Sequence, residues 1–141
     1  AGARITLHTD GDVLGALLAA LPNTGVDVLM GIGGTPEGVL AACAIKALNG
    51  GMQGMRAPQL EDEKEQLKKD GVKIDEVLTL DTLVKSDNTI FSATGITAGG
   101  YLEGVKKNID GSITTQSLVI YSKTQSIRFV EGIHKNGEVE I

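Results

Sequence analysis

Residues 26–32, Val-Asp-Val-Leu-Met-Gly-Ile, form an apolar run that breaks into Gly33-Gly34-Thr35-Pro36-Glu37-Gly38 and resumes as an alanine-rich aliphatic stretch to Leu48. A short apolar run closed by glycine reads as a strand covered on both faces. Thr35 is a good N-cap, Pro36 suits the first helical position, and Glu37 complements the positive end of a helix. Asn49-Gly50-Gly51 then ends the helix. The same order stands just before it. Residues 4–9 alternate and are rich in β-branched side chains, Asp10-Gly11-Asp12 interrupts them, and residues 13–21 are a leucine- and alanine-rich helix former. Two strand–turn–helix units in succession are the signature of an α/β fold, normally connected by right-handed parallel crossovers.

The remainder is less regular. Residues 52–57 read as a weak extended segment and 60–70 as a helix whose charge run is a solvated face. Residues 77–80 form a short strand, 81–84 a short helix or turn, and 90–97 a strand running into a glycine-rich loop. From residue 114 to 122 and again from 126 to 135 apolar and polar residues alternate, which predicts an antiparallel hairpin connected through residues 123–125. No repeat, linker or low-complexity run interrupts the chain, so one α/β domain is expected over residues 1–141. With 3% aromatic residues and no Trp, its core must be built from Leu, Val, Ile and Ala.

Charge and cysteine usage narrow the partners. A formal net charge of −5 repels phosphate backbones, so no nucleic-acid partner is expected. No apolar run approaches the ~20 residues of a membrane helix, so no membrane is expected either. The one cysteine, Cys43, fits a reducing compartment and a cytoplasmic location. The first residues carry no signal-peptide pattern, and a chain that enters a strand at once without a Met start is expected to be a piece of a longer one.

The loop at 31–38 is the strongest local signal for chemistry. Its glycines, after a strand and before a helix, leave backbone N–H groups free to face an anion; the same residues also make a tight turn and a helix cap. It is neither a Walker loop nor a dinucleotide fingerprint. Glu37 beside it can hold a divalent cation that bridges to a phosphate, or simply cap the helix. Asp10-Gly11-Asp12 occupies the equivalent place after the first strand, where ligands collect in open α/β sheets. Its carboxylates can accept hydrogen bonds from sugar hydroxyls, bind metal, or serve as cap and turn. Ser92-Ala93-Thr94-Gly95-Ile96-Thr97 can line the same pocket or form an ordinary turn. His8 and His134 are isolated, Cys43 reads as a small core residue, and no nucleophile–His–acid set is visible.

Taken together, Asp10-Gly11-Asp12, residues 25–39, Met52-Gln53-Gly54, Lys85-Ser86-Asp87-Asn88, residues 91–97 and Thr114-Thr115-x-Ser117-Leu118-Val119 resemble class II fructose-1,6-bisphosphatase, in order along nearly the whole chain. The resemblance covers the C-terminal half of that family; the acidic metal motifs of the N-terminal half have no counterpart here. It implies the layered α/β sandwich of the lithium-sensitive sugar and inositol phosphatases. It implies hydrolysis of the 1-phosphate of fructose 1,6-bisphosphate in gluconeogenesis, with sedoheptulose 1,7-bisphosphate as a further substrate, using Mg²⁺ or Mn²⁺. Carried over by position, Glu37 is the metal ligand, and Asp10, Gly11, Asp12 and Gly34 contact the substrate. The other metal ligands have no matching position, so this chain alone is expected to be inactive. The alternative is a non-catalytic sugar-phosphate-binding or structural α/β module. Strands patterned for burial on both faces further predict association, with the N-terminal half of the same enzyme or as a homo-oligomer.

Overall fold

The computed structural model describes residues 2–7, 11–98 and 101–135. Helix α1 (Asp12–Ala20) and helix α2 (Thr35–Ala47) come first. They are followed by strand β1 (Gln53–Gly54), helix α3 (Glu61–Lys69), strand β2 (Leu78–Thr79) and helix α4 (Leu80–Leu83). Strands β3 (Ile90–Thr94), β4 (Lys106–Lys107), β5 (Ile113–Tyr121) and β6 (Ser126–His134) complete the order.

The main sheet is built round β5. It pairs with β6 along its whole length, from Ile113 opposite His134 to Tyr121 opposite Ser126. On its other edge it pairs with β3, Ala93 opposite Leu118, and with β4, Lys107 opposite Ile113. The alternation at 114–135 therefore forms the expected hairpin, and Gln125 closes it with a positive φ of 49°. A second small ladder joins β1 to β2, with Gly54 opposite Leu78.

Helices α1 and α2 cover one face of the main sheet. Leu17, Leu21, Ala44 and Ala47 meet Phe91, Leu118 and Ile120 in one buried cluster. Leu118 and Ile120 are wholly enclosed, and burying such a side chain contributes roughly 1.5–3 kcal/mol. Helix α2 ends on Asn49 in the left-handed conformation, and the Gly50 N–H returns to the Ile45 carbonyl at 2.9 Å. That satisfies an otherwise orphaned carbonyl of the last turn. Helix α3 buries no residue, in keeping with its charge. The Glu63 carboxylate accepts from the Gln59 N–H at 3.0 Å and so closes its N-terminus.

The first two expected strands are corrected. Residues 3–7 and 26–32 are not in any ladder, and every pairing among the described residues is antiparallel, so no parallel crossover forms here. Residues 8 and 9 of the first segment lie outside the described residues. The apolar pattern of these segments is a demand for burial, and a ladder needs a second strand that the described residues do not offer. Leu7 and Met30 are each 88% exposed, and Ile5, Val28 and Ile32 are exposed with them. Arg4 donates to the Gly25 carbonyl at 3.1 Å, just before the second segment. What results is a mixed α/β architecture with antiparallel sheets. No helix of the described residues is long and apolar enough to cross a membrane.

Candidate active site

Two helices bring their first turns to one loop. Gly11 is the N-cap of α1 and takes a left-handed conformation, φ 85° and ψ 45°. A side chain there is strained, so glycine is the residue that allows the chain to turn into α1 at this point. Asp12 is thereby the first helical residue, and among the described residues no side chain caps α1, its own carboxylate included. It lies instead against Gly33: a β-carbon on Gly33 would collide with Asp12 Oδ2.

The second carboxylate arrives by the same device. Gly34, not Thr35, is the N-cap of α2, with φ −68° and ψ 152°, and the proline expected at the first helical position sits at the second. This moves Glu37 to the third position of the helix. Its carboxylate folds back on the loop, and a β-carbon on Gly34 would collide with Glu37 Oε2. The backbone of Gly34 is of a kind any residue adopts, so glycine is needed there for space rather than for conformation. Adjacent glycines therefore seat two carboxylates from two different helices. No side chain caps α2, and Pro36 offers no N–H, so the N–H groups of Thr35 and Glu37 are left to face an anion at the positive end of the helix.

The surroundings are open. Residues 31–37 are exposed, and one concave surface lies away from them, round β4, lined by Glu103, Lys106, Asn108, Thr114, Gln116 and Glu131. Two carboxylates are hard oxygen donors, and Mg²⁺ is commonly held by one or two carboxylates together with substrate phosphate and water. Each carboxylate, seated beside its glycine, is thus of the chemistry that a divalent-cation shell uses. Among the described residues no group of three or more His, Cys, Asp or Glu side chains converges to complete one.

The structure brings together Gly11, Asp12, Gly34 and Glu37 of the residues singled out in the sequence; Asp10 and His8 lie outside the described residues. Ser92 to Thr97 do not join them. Thr94 shares a hydrogen bond with Ser117 across the β3–β5 ladder at 2.8 Å, and the Gly95 N–H donates to the Gln116 carbonyl at 2.9 Å, so their partners are in the sheet. His134 meets Thr115 at 3.0 Å between neighbouring strands. Cys43 is a free, half-buried thiol within α2. Gly33, against which Asp12 rests, is not among the residues that the sequence predicts for the site. Its signal was its place beside Gly34, where one glycine suffices for a turn.

At the far end of α2 stands Lys46, which no motif in the sequence marks. Its Nζ lies 2.9 Å from Asp81 and 3.0 Å from Asp87, and it donates to the Val84 carbonyl at 2.7 Å. The hydrogen bond to Asp81 first, and that to Asp87 second, hold the ammonium above its ordinary pKa.

A family profile described as bacterial fructose-1,6-bisphosphatase, glpX-encoded, matches residues 1–134. The class 2 fructose-1,6-bisphosphatase of Haemophilus influenzae is 42% identical over 147 aligned residues, which cover 94% of this chain and 44% of that protein. Fructose-1,6-bisphosphatase 1 class 2 of Escherichia coli K12 is 41% identical, over 94% of this chain and 43% of its own length. The chain spans less than half the length of these curated relatives.

Proposed function

The chain belongs to the family of bacterial, glpX-encoded fructose-1,6-bisphosphatases, and we propose that it supplies the substrate-facing loop and one metal-holding carboxylate of a sugar-bisphosphate phosphatase. The substrate is fructose 1,6-bisphosphate, with sedoheptulose 1,7-bisphosphate as a second, and the product is the sugar monophosphate. The layered sandwich of the lithium-sensitive phosphatases and a cytoplasmic location belong to the same reading. One observation carries it: Asp12 and Glu37, from two helices, rest on the adjacent glycines Gly33 and Gly34.

Glu37 would hold a divalent ion, Mg²⁺ or Mn²⁺, at the edge of the loop. Such an ion, when bound, neutralises charge that develops on the phosphoryl oxygens as the bond to the sugar breaks. The chain's own groups bind and orient. Free N–H groups at the start of α2 face the phosphate, and the bare α-carbons of Gly33 and Gly34 let it approach the main chain. Asp12, with Asp10 beside it in the sequence, accepts hydrogen bonds from sugar hydroxyls and so fixes which phosphate is presented. Positioning of this kind is most of what phosphoryl transfer requires of a protein.

The deciding experiment is Glu37→Gln in the full-length enzyme. It keeps the shape and removes the charge. A lost charge contact in the transition state costs about 10²–10³ in kcat. If Glu37 only complements the helix end, the change costs ~0.3–1 kcal/mol of stability and leaves kcat intact. Near-normal kcat at saturating Mg²⁺ would return the chain to a sugar-phosphate-binding or structural role.

A further inference from the structure

We propose that Lys46 is a positioning residue: by anchoring the C-terminal end of α2 to Asp81, Asp87 and the Val84 carbonyl, it fixes the axial setting of α2 and with it the place of Glu37 beside the glycine loop. The functional half of this inference rests on the reading of Glu37 given above; the geometric half does not.

The reason lies in the face α2 turns to the core. Its buried residues are Ala41, Ala42, Ala44, Ile45 and Ala47. Alanine allows close approach but forms shallow ridges, and it is interlocking ridges that hold one helix in register on its neighbour. A helix faced in this way loses few contacts when it slides by a fraction of a turn. Its register needs a second restraint, and Lys46 provides one. The side chain is only 13% exposed, and its three N–H donors meet three acceptors.

The acceptors are themselves tied down. Asp81 stands on α4. The Asp87 carbonyl accepts from Ser122 Oγ at 2.8 Å, and the same hydroxyl accepts from the Thr89 N–H at 2.8 Å. The Ser122 N–H returns to the Thr89 carbonyl at 3.0 Å. The restraint thus runs from α2 through residues 84–89 to the end of β5. Glu37 stands about 13.5 Å from Lys46 along the helix axis, at 1.5 Å per residue, on the same rigid rod. The Asp81 and Asp87 side chains are 86% and 95% exposed, and ion pairs open to solvent in this way contribute little to stability. The anchor is therefore visible in where α2 sits, not in how hot the protein melts.

The test compares Lys46→Met, Lys46→Arg and the double variant Asp81→Asn/Asp87→Asn in the isotopically labelled full-length protein. The readouts are the amide resonances of Gly33, Gly34, Thr35 and Glu37, and a Mn²⁺ titration followed by the electron paramagnetic resonance of the free ion. Lys46→Met should displace those resonances and weaken Mn²⁺ binding by up to about tenfold, the lower end of the effect of a partner that touches the ligand itself. Lys46→Arg should restore both, and the double variant, which spares Lys46 itself, should reproduce the loss. Resonance changes confined to residues 80–90 with unaltered Mn²⁺ binding would overturn the proposal. Should Mn²⁺ fail to bind the unaltered protein near Glu37, the metal reading falls, and the resonances of residues 33–37 alone decide whether Lys46 positions α2.

Discussion

Leu118 and Phe129 stand directly opposite each other in the β5–β6 ladder, on one face of the sheet, yet Leu118 is 0% exposed and Phe129 is 52% exposed. The difference is the reach of the helix layer. It covers β5 and β3 and stops short of the edge strand, where Phe129 keeps one aromatic neighbour, Tyr101, at a ring separation of 5.8 Å. Leu118→Ala should therefore cost ~2–5 kcal/mol, the range for a wholly enclosed leucine. Phe129→Ala should cost less despite the larger side chain, since it forfeits half a burial and an aromatic pair of about 0.5–1.5 kcal/mol. Urea denaturation of the two variants checks the order, and the reverse order would show that β6 is covered.

Gly34→Ala separates packing from function. The backbone already suits alanine, and the atom in the way is the end of a flexible glutamate. Stability should move by no more than ~1 kcal/mol, as Glu37 swings aside and the unfolded chain loses freedom. In the full-length enzyme the swing removes the carboxylate from the loop, so activity should fall at least as far as in Glu37→Gln. Thermal melting beside phosphate-release kinetics reads both; full activity in Gly34→Ala would mean that Glu37 works from some other place.

The 141-residue chain by itself should release no phosphate from fructose 1,6-bisphosphate above background, with Mg²⁺ or Mn²⁺ present. The family resemblance gives this chain one metal-ligand carboxylate, Glu37, and no matching position for the others, too few to strip waters from Mg²⁺. Metal-dependent turnover by mass-verified protein would contradict this.

The hairpin and the charged helix were readable because their signals are local. Alternation from Ile113 to His134 declares one buried face, and the run of charges at 61–69 declares none. The segment at 26–32 departs from the expected strand for a physical reason: Val28, Leu29 and Met30 report an appetite for burial, and appetite does not supply a neighbouring strand. The cap of α2 slipped by one residue because Gly34 and Thr35 are both acceptable there. The meeting of Asp12 with Gly33 was illegible for a different reason. They stand twenty-one positions apart in the sequence, and nothing in either residue names the other.

The bare apolar segments should drive association. Leu7, Val28, Met30 and Ile32 offer side chains and unpaired main chain together, and a charge of −5 is a weak defence at physiological salt, where repulsion is screened beyond ~8–10 Å. Light scattering of the isolated chain across a dilution series should show a mass above the monomer. Met30→Asp or Ile32→Asp should lower it, and charge reversal on α3 should not. A monomer at tens of micromolar would refute the expectation.

Asp110 reports on the turn before β5. Its carboxylate accepts from the Ser112 hydroxyl at 2.7 Å and from the Ser112 N–H at 3.0 Å, and these bonds, the hydroxyl first, lower its pKa from 3.8. The unfolded chain takes up this proton more readily, so the stability gained is fully present above about pH 4. It is lost as pH falls through the lowered folded value. Asp110→Asn should flatten that part of the acid-denaturation profile, and carboxyl resonances followed by pH should show Asp110 protonating after an unconstrained aspartate.

Amide hydrogen exchange turns the uneven pairing of the chain into a count. In β5 successive N–H groups point alternately toward β6 and toward β3 or β4, so both parities are shielded and the strand should exchange slowest. The segment at 26–32 has no ladder on either side and should exchange at the rate of open chain. One strand laid against it would slow every second amide; a strand on each side would slow them all. The parity of the protected amides at 26–32 therefore tells how many neighbours the segment has acquired in the assembled enzyme, with no need to know which strands they are.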